Sequence, residues 1–222
     1  MRLQLSILTT LFLLAACGDA TVDLRGRAFS DATGAGVGEG IAGATVQVSG
    51  DATFAGVTDA QGAFEVQVPV DSRVLVRLEA PGHVGLLEAE AVAGQDRERD
   101  YGLTPEPNVD FLLGSVGLER DPTKGIVVVD FETGSVAGGE TADLLGEFEA
   151  VLTRTENTGE FLIGDTVAAG GEDTFLSFIN VTPGEISVTA SSPTEVCEVE
   201  GDGSWPVLAN VVTTIRVFCA PR

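Results

Sequence analysis

Few residues in this chain could do chemistry: three cysteines, a single histidine, one lysine, and 34 Asp and Glu set against only 12 Lys and Arg. His83 alone cannot supply the two imidazoles and one carboxylate that a hydrolytic zinc centre commonly draws from its protein. It follows Pro81-Gly82 after a strand-like run, which suits a turn residue better than a general base. A Ser-His-Asp site would have to use the same His83, and no Gly-x-Ser-x-Gly elbow accompanies it. We therefore expect no enzyme, no cofactor and no catalytic residue. With a formal net charge of -22, carboxylates fall together by chance, and their usual role is a solvated face. Four of them, Glu172, Asp173, Glu200 and Asp202, lie in expected loops and could offer hard oxygens to calcium, without the spaced Asp-x-Asp-x-Asp-Gly pattern of a dedicated loop. Trp205, in Gly203-Ser204-Trp205-Pro206, offers an indole that either packs in a core or stacks on a ligand. The only lysine, Lys124, could condense with Asn180 or Asn210 into an isopeptide, but its Pro122-Thr123-Lys124-Gly125 flank reads as a turn.

The cysteines divide into two kinds. Leu14-Ala15-Ala16-Cys17 resembles a bacterial lipobox. Before it stand Arg2 and an apolar run from Leu3 to Ala16, too short for the roughly 20 residues that span a bilayer. Residues 1–16 are thus expected to be a lipoprotein signal peptide, with Cys17 lipidated and 17–21 a tether. Several acyl chains, at about 0.8 kcal/mol per buried CH2, make such an anchor stable. Gly18 follows the cysteine and Asp19 comes one place later, which favours the outer membrane over inner-membrane retention. Cys197 and Cys219 then remain as an even pair in an oxidising compartment, and a disulfide is expected.

The elements that must position these residues are strands. Phe64, Val66 and Val68 alternate with Glu65 and Gln67, and Val74, Val76 and Leu78 alternate with Arg73, Arg77 and Glu79, a period of two. Runs near 22–30, 44–49, 53–58, 63–68, 73–79, 84–90 and 97–103 recur about every ten residues, which suits a seven-stranded antiparallel sandwich. Gly26, Ile41-Ala42-Gly43-Ala44-Thr45-Val46, Thr58-Asp59-Ala60-Gln61-Gly62-Ala63-Phe64, Pro69 and Ala80-Pro81-Gly82 together resemble the carboxypeptidase regulatory-like domain. That resemblance covers 22–104 and implies a transthyretin-like (prealbumin-like) β-sandwich with a non-catalytic accessory role.

Pro105 and Pro107 mark 105–110 as an extended linker, and a second β-sandwich is expected over 111–222. In it Gly125-Ile126-Val127-Val128-Val129-Asp130-Phe131 reads as a buried strand, Gly138 to Leu144 as a strand with a helical turn as the alternative for 143–148, and Phe178 to Val188 as a hairpin about Pro183-Gly184. The last strand, Val211 to Phe218, would be stapled to the preceding loop by the cysteine pair. The expected fold class is all-β, two tandem antiparallel β-sandwiches behind a lipoprotein signal peptide. The acidic charge excludes nucleic acid, which needs a basic face. The functional expectation is a structural or binding module of the bacterial cell envelope, held by a lipid anchor and engaging an envelope protein, with glycan binding and calcium-dependent adhesion as alternatives. Residues 106–222 carry 20 acidic and 5 basic groups against 14 and 6 in 18–105, and together with Trp205 and the disulfide this points to the second unit as the recognition surface.

Overall fold

The computed structural model describes residues 20–32, 36–133, 138–154, 160–168, 174–201 and 203–222. The expected signal peptide, Cys17, Glu172, Asp173 and Asp202 lie outside them. The fold is all-β with one short helix. Its first seven strands are β1 Thr21–Ser30, β2 Thr45–Gly50, β3 Phe54–Val57, β4 Ala63–Pro69, β5 Ser72–Glu79, β6 Gly85–Val92 and β7 Arg97–Leu103. Helix α1 (Glu106–Ser115) follows. After it come β8 Gly125–Thr133, β9 Thr141–Leu145, β10 Ala150–Arg154, β11 Phe161–Ile163, β12 Phe175–Val181, β13 Gly184–Ser191, β14 Glu195–Val199, β15 Ser204–Val207 and β16 Val211–Pro221.

Seven strands stand where the alternation put them, and the alternation is also their burial: Phe64, Val66 and Val68 point inward from β4 while Glu65 and Gln67 face water. They form a three-stranded sheet, β4-β1-β7, facing β6, β5, β2 and β3 across a core that includes Leu24, Val48, Val76, Leu78 and Leu103. At Gly26 any side chain would run into Phe64 and Tyr101, so glycine lets these two rings, 5.8 Å apart, close over β1.

The pairing is not wholly antiparallel, as the sequence had suggested. β1 runs parallel to β7, and β16 runs parallel to both β6 and β8. The second of these matters most, because Val211, Val212, Thr213 and Thr214 pair with Gly85, Leu86, Leu87 and Glu88 and so join the two halves of the chain in a single ten-stranded sheet. The second three-stranded sheet, β15-β13-β9, packs on this large sheet over a core of Val127, Val129, Phe131, Phe178, Ile215 and Trp205. There are thus two cores sharing one sheet. Phe178 to Val188 is not a hairpin: β12 pairs with β8 and β10 in the large sheet, β13 pairs with β15 and β9, and Thr182-Pro183 carries the chain from one layer to the other. The 143–148 ambiguity resolves to strand through Leu145, with Gly146 to Glu149 irregular.

Residues 105–110 are not an extended linker either. Pro105 is the N-cap of α1 and Pro107 lies in its first turn, where a missing N–H costs nothing because that donor has no helical acceptor. Gly117 at φ 78° ends the helix, with Leu118 N–H returning to Leu113 O at 2.9 Å. Val109 and Leu113 pack on Ile126, Leu152 and Ile179, a third cluster at one end of the large sheet.

Candidate functional site

Strand directions give the molecule two poles. β1 enters at Thr21 opposite Pro69 and leaves at Ser30 beside Leu103, about 30 Å further at roughly 3.3 Å per residue. β16 leaves from the exit pole, where Val211 sits by Gly85, and ends at Pro221 beside Glu195. The entry pole therefore holds the first described residue, Ala20, and the last strand's end; the exit pole holds α1.

A compact set of polar contacts fixes α1 there. Asn210 lies at φ 56° in the turn before β16; its Nδ2 donates to Glu106 Oε1 at 3.0 Å, its backbone N–H to Lys124 O at 2.8 Å, and its carbonyl accepts from Gly85 N–H at 2.9 Å. Arg120 donates to Asn210 Oδ1 and bonds Asp110 at 2.7 Å on α1. Asn180, at φ 54° in an irregular stretch of β12, accepts from Asp121 N–H at 2.9 Å and donates to Glu119 O at 2.8 Å and Glu149 Oε2 at 2.6 Å. Both asparagine carboxamides are thus spent on the loops around α1. Thr123, through its hydroxyl and backbone N–H, donates to Asp121 and holds that carboxyl below its ordinary range.

Between α1 and the strands β8, β10 and β12 lies an open groove of about 920 Å³. Ile126, Val128, Leu152 and Ile179 line it, with Phe161 and Phe175 beside Arg154, whose guanidinium stands 4.7 and 5.5 Å from their ring centres. Asp31 and Glu160 also line it. Phe111, on α1, is 81% exposed at its rim. Other exposed apolar side chains are dispersed: Val37 in the segment that bonds back to Ser30, Val57 opposite Thr45, Leu145 opposite Ser187 and Phe148 beside Phe178 on the other face of the large sheet, and Leu162 and Ile163 on β11. Val196 and Phe218, on the disulfide ribbon, are exposed toward the other pole.

The seam between the two cores is ionic. Glu90, with no exposed side-chain surface, is 2.8 Å from Arg97, 3.1 Å from Arg99 and 3.7 Å from Arg216. Glu88 pairs with Arg99 at 2.8 Å, yet burial outweighs that pairing and holds its carboxyl above the ordinary range. Burial likewise raises Tyr101 and Glu200. Arg216 also donates to Ala89 O at 2.9 Å, so β6, β7 and β16 meet around one carboxylate.

The residues singled out in the sequence are scattered over this frame. Cys197 and Cys219 form a disulfide across directly paired positions of β14 and β16, so the staple joins two strands and not a strand to a loop. Trp205 is not a loop residue free to stack on a ligand. It is 1% exposed in β15, packed in the second core with the Arg73 guanidinium 4.7 Å from its ring centre. Glu200 is half-buried near Arg216 and Arg73, and among the described residues no group of three or more His, Cys, Asp and Glu is arranged to hold a metal. His83 bridges two segments, with Nδ1 3.1 Å from Pro81 O and Nε2 3.0 Å from Ser30 Oγ; a proton on Nδ1 leaves Nε2 to accept from the serine. That pair ties the turn to the end of β1. The sequence reading missed α1 and its groove, although Val109, Leu112, Leu113 and Val116 have helical spacing.

No family model matches the chain, and no curated protein matches it. Among solved structures it is similar to the Bacillus anthracis TIE protein, at 12% identity and a TM-score of 0.33 over 90% of this chain and 34% of that one. It is also similar to GBS52, the minor pilin of Streptococcus agalactiae, at 8% identity and a TM-score of 0.31, covering 90% and 96%. The shaft pilin SpaA from Lactobacillus rhamnosus GG matches at 8% identity and a TM-score of 0.32, covering 91% and 98%. The chain spans about a third of the length of the first of these. At such scores the likenesses assign neither a family nor a function.

Proposed function

We propose that this chain is a non-catalytic, lipid-anchored module of the bacterial cell envelope that binds a protein partner through its α1 pole. The observation that carries the proposal is Phe111, a large apolar side chain 81% exposed on α1, at the pole remote from Ala20. An anchor at Cys17 would hold the opposite pole at the outer membrane and leave α1 pointing away from it. The polar groups that could otherwise suggest catalysis have structural duties, His83 on Ser30 and Pro81, and Glu90 on three arginines. Burial of Trp205 removes the ring on which a glycan reading depended, and an exposed Phe111 suits a protein partner. Residues 22–104 would keep the accessory role that their resemblance to the carboxypeptidase regulatory-like domain implies, and 111–222 would form the second unit.

The test is copurification from detergent-solubilised membranes with the full chain, Phe111→Arg and Val196→Arg. A partner lost only with Phe111→Arg is the expected result. A partner lost only with Val196→Arg would place recognition at the opposite pole.

A further inference from the structure

We propose that the chain cuts its own backbone once, at the peptide bond between Asp121 and Pro122, a single-turnover reaction that is independent of the binding role proposed above. Asp121-Pro122 is the only Asp-Pro step in the sequence, and it lies in the connection from α1 to β8. Such a bond is chemically weak for two reasons. Its nitrogen belongs to a tertiary amide and leaves readily once protonated, and the aspartate carboxylate reaches its own carbonyl carbon by closing a five-membered ring. The fold adds to this weakness. Asp121 O accepts from Lys124 N–H at 3.0 Å, so a donor already faces the oxygen on which negative charge develops. Asp121 Oδ1 takes both bonds from Thr123, 2.9 Å from its N–H and 2.6 Å from its hydroxyl, which favours the ionised carboxyl and leaves Oδ2 to attack. Asp121 N–H donates to the buried Asn180 at 2.9 Å and pins the residue, while Pro122 and Thr123 are exposed to the proton and the water that the reaction needs.

In the step itself Oδ2 bonds to the Asp121 carbonyl carbon, the bond from that carbon to Pro122 nitrogen breaks, and its electron pair stays on the nitrogen, which takes protons from solvent. The product is a cyclic anhydride within Asp121. One water opens it to a side-chain and a main-chain carboxylate and returns protons to solvent, so the net change is the hydrolysis of one peptide bond. The cut leaves β1 to β7 and α1 on one fragment and β8 to β16 on the other. The disulfide lies within the second fragment, so the two are held by noncovalent contacts, β6 on β16 and Glu106 and Arg120 on Asn210. An anchor at Cys17 would then keep the second fragment at the envelope through those contacts alone.

The test incubates the purified full chain with protease inhibitors at about pH 5, above the ordinary aspartate value of about 3.9, so that the carboxylate is ionised folded or unfolded. The same chain in urea and a synthetic peptide spanning residues 120–125 are the comparisons, and circular dichroism verifies that the first sample is folded. Intact mass should show two fragments whose masses sum to the parent plus one water, the second beginning at Pro122. The folded chain should be cut roughly tenfold faster than the urea sample or the peptide, because only there do the Lys124 and Thr123 donors hold their places. Asp121→Glu keeps the charge but lengthens the side chain beyond the five-membered ring, and Pro122→Ala restores a secondary amide; both should stay whole. The fragments should elute together under native conditions and separate in urea without reductant. An uncut folded chain, cutting no faster than in urea or in the peptide, or a cut at the same bond in Asp121→Glu would overturn the proposal. Copurification with Phe111→Arg reads the binding role separately, so either can fail alone.

Discussion

Replacing Glu90 by Gln keeps the shape of the seam and removes its central charge. Removing one partner of a buried ion pair costs about 3–5 kcal/mol, because the other charge stays buried and unpaired. Here Arg97 and Arg99 are 39% and 28% exposed and can rehydrate, while Arg216, at 13%, is the one left stranded. The cost should therefore fall at the lower end, about 3 kcal/mol. For a chain of this size roughly 2–4 °C of Tm accompanies each kcal/mol, so Glu90→Gln should lower Tm by about 6–12 °C at neutral pH. Calorimetry of the exported chain reads this directly, and Arg216→Met in the Glu90→Gln background should cost less than in the wild type. Because β6 and β16 share the seam and the sheet, unfolding should remain a single transition. A Tm within about 2 °C of wild type, or two separate transitions with only the first displaced, would refute the reasoning.

Glu88 binds its proton more tightly folded than unfolded, so its contribution is greatest at acid pH and is lost as pH rises from its ordinary 4.5 toward its higher folded value. Glu88→Gln should flatten that part of the Tm-against-pH curve, and an unchanged slope would assign the titration elsewhere. Cys197 and Cys219 are 22 apart in sequence, a loop for which the chain-entropy model gives about 3 kcal/mol. Cys197→Ala with Cys219→Ala should lose about that much stability, and a non-reducing peptide map of the parent should contain the linked pair. Cys17→Ala should release the protein from membranes; retention after a high-salt wash would rule out the lipid anchor.

Much of the first core was legible in the sequence because its strands are half-buried. Val74, Val76 and Leu78 alternate with polar residues, and that alternation is itself the burial pattern. Even Trp205 carried the signal, since Ser204-Trp205-Pro206-Val207 buries Trp205 and Val207 from one face of β15. The pairing of β16 with β6 had no such mark: Val211 to Thr214 lie more than a hundred residues from Gly85 to Glu88, and no local pattern names a partner at that distance. The prolines at 105 and 107 were misleading for a different reason. The same pyrrolidine ring suits a tether and the first turn of a helix, and only the apolar spacing from Val109 to Val116 separates the two. The groove followed α1 out of sight.

The most direct test of recognition at the α1 pole is photo-crosslinking in living cells, with a benzophenone side chain placed at Phe111 and, as the comparison, at Val196. A single discrete adduct of the chain with a second protein from position 111, and none from position 196, is the predicted result. Adducts from position 196 alone, or from both positions equally, would contradict it.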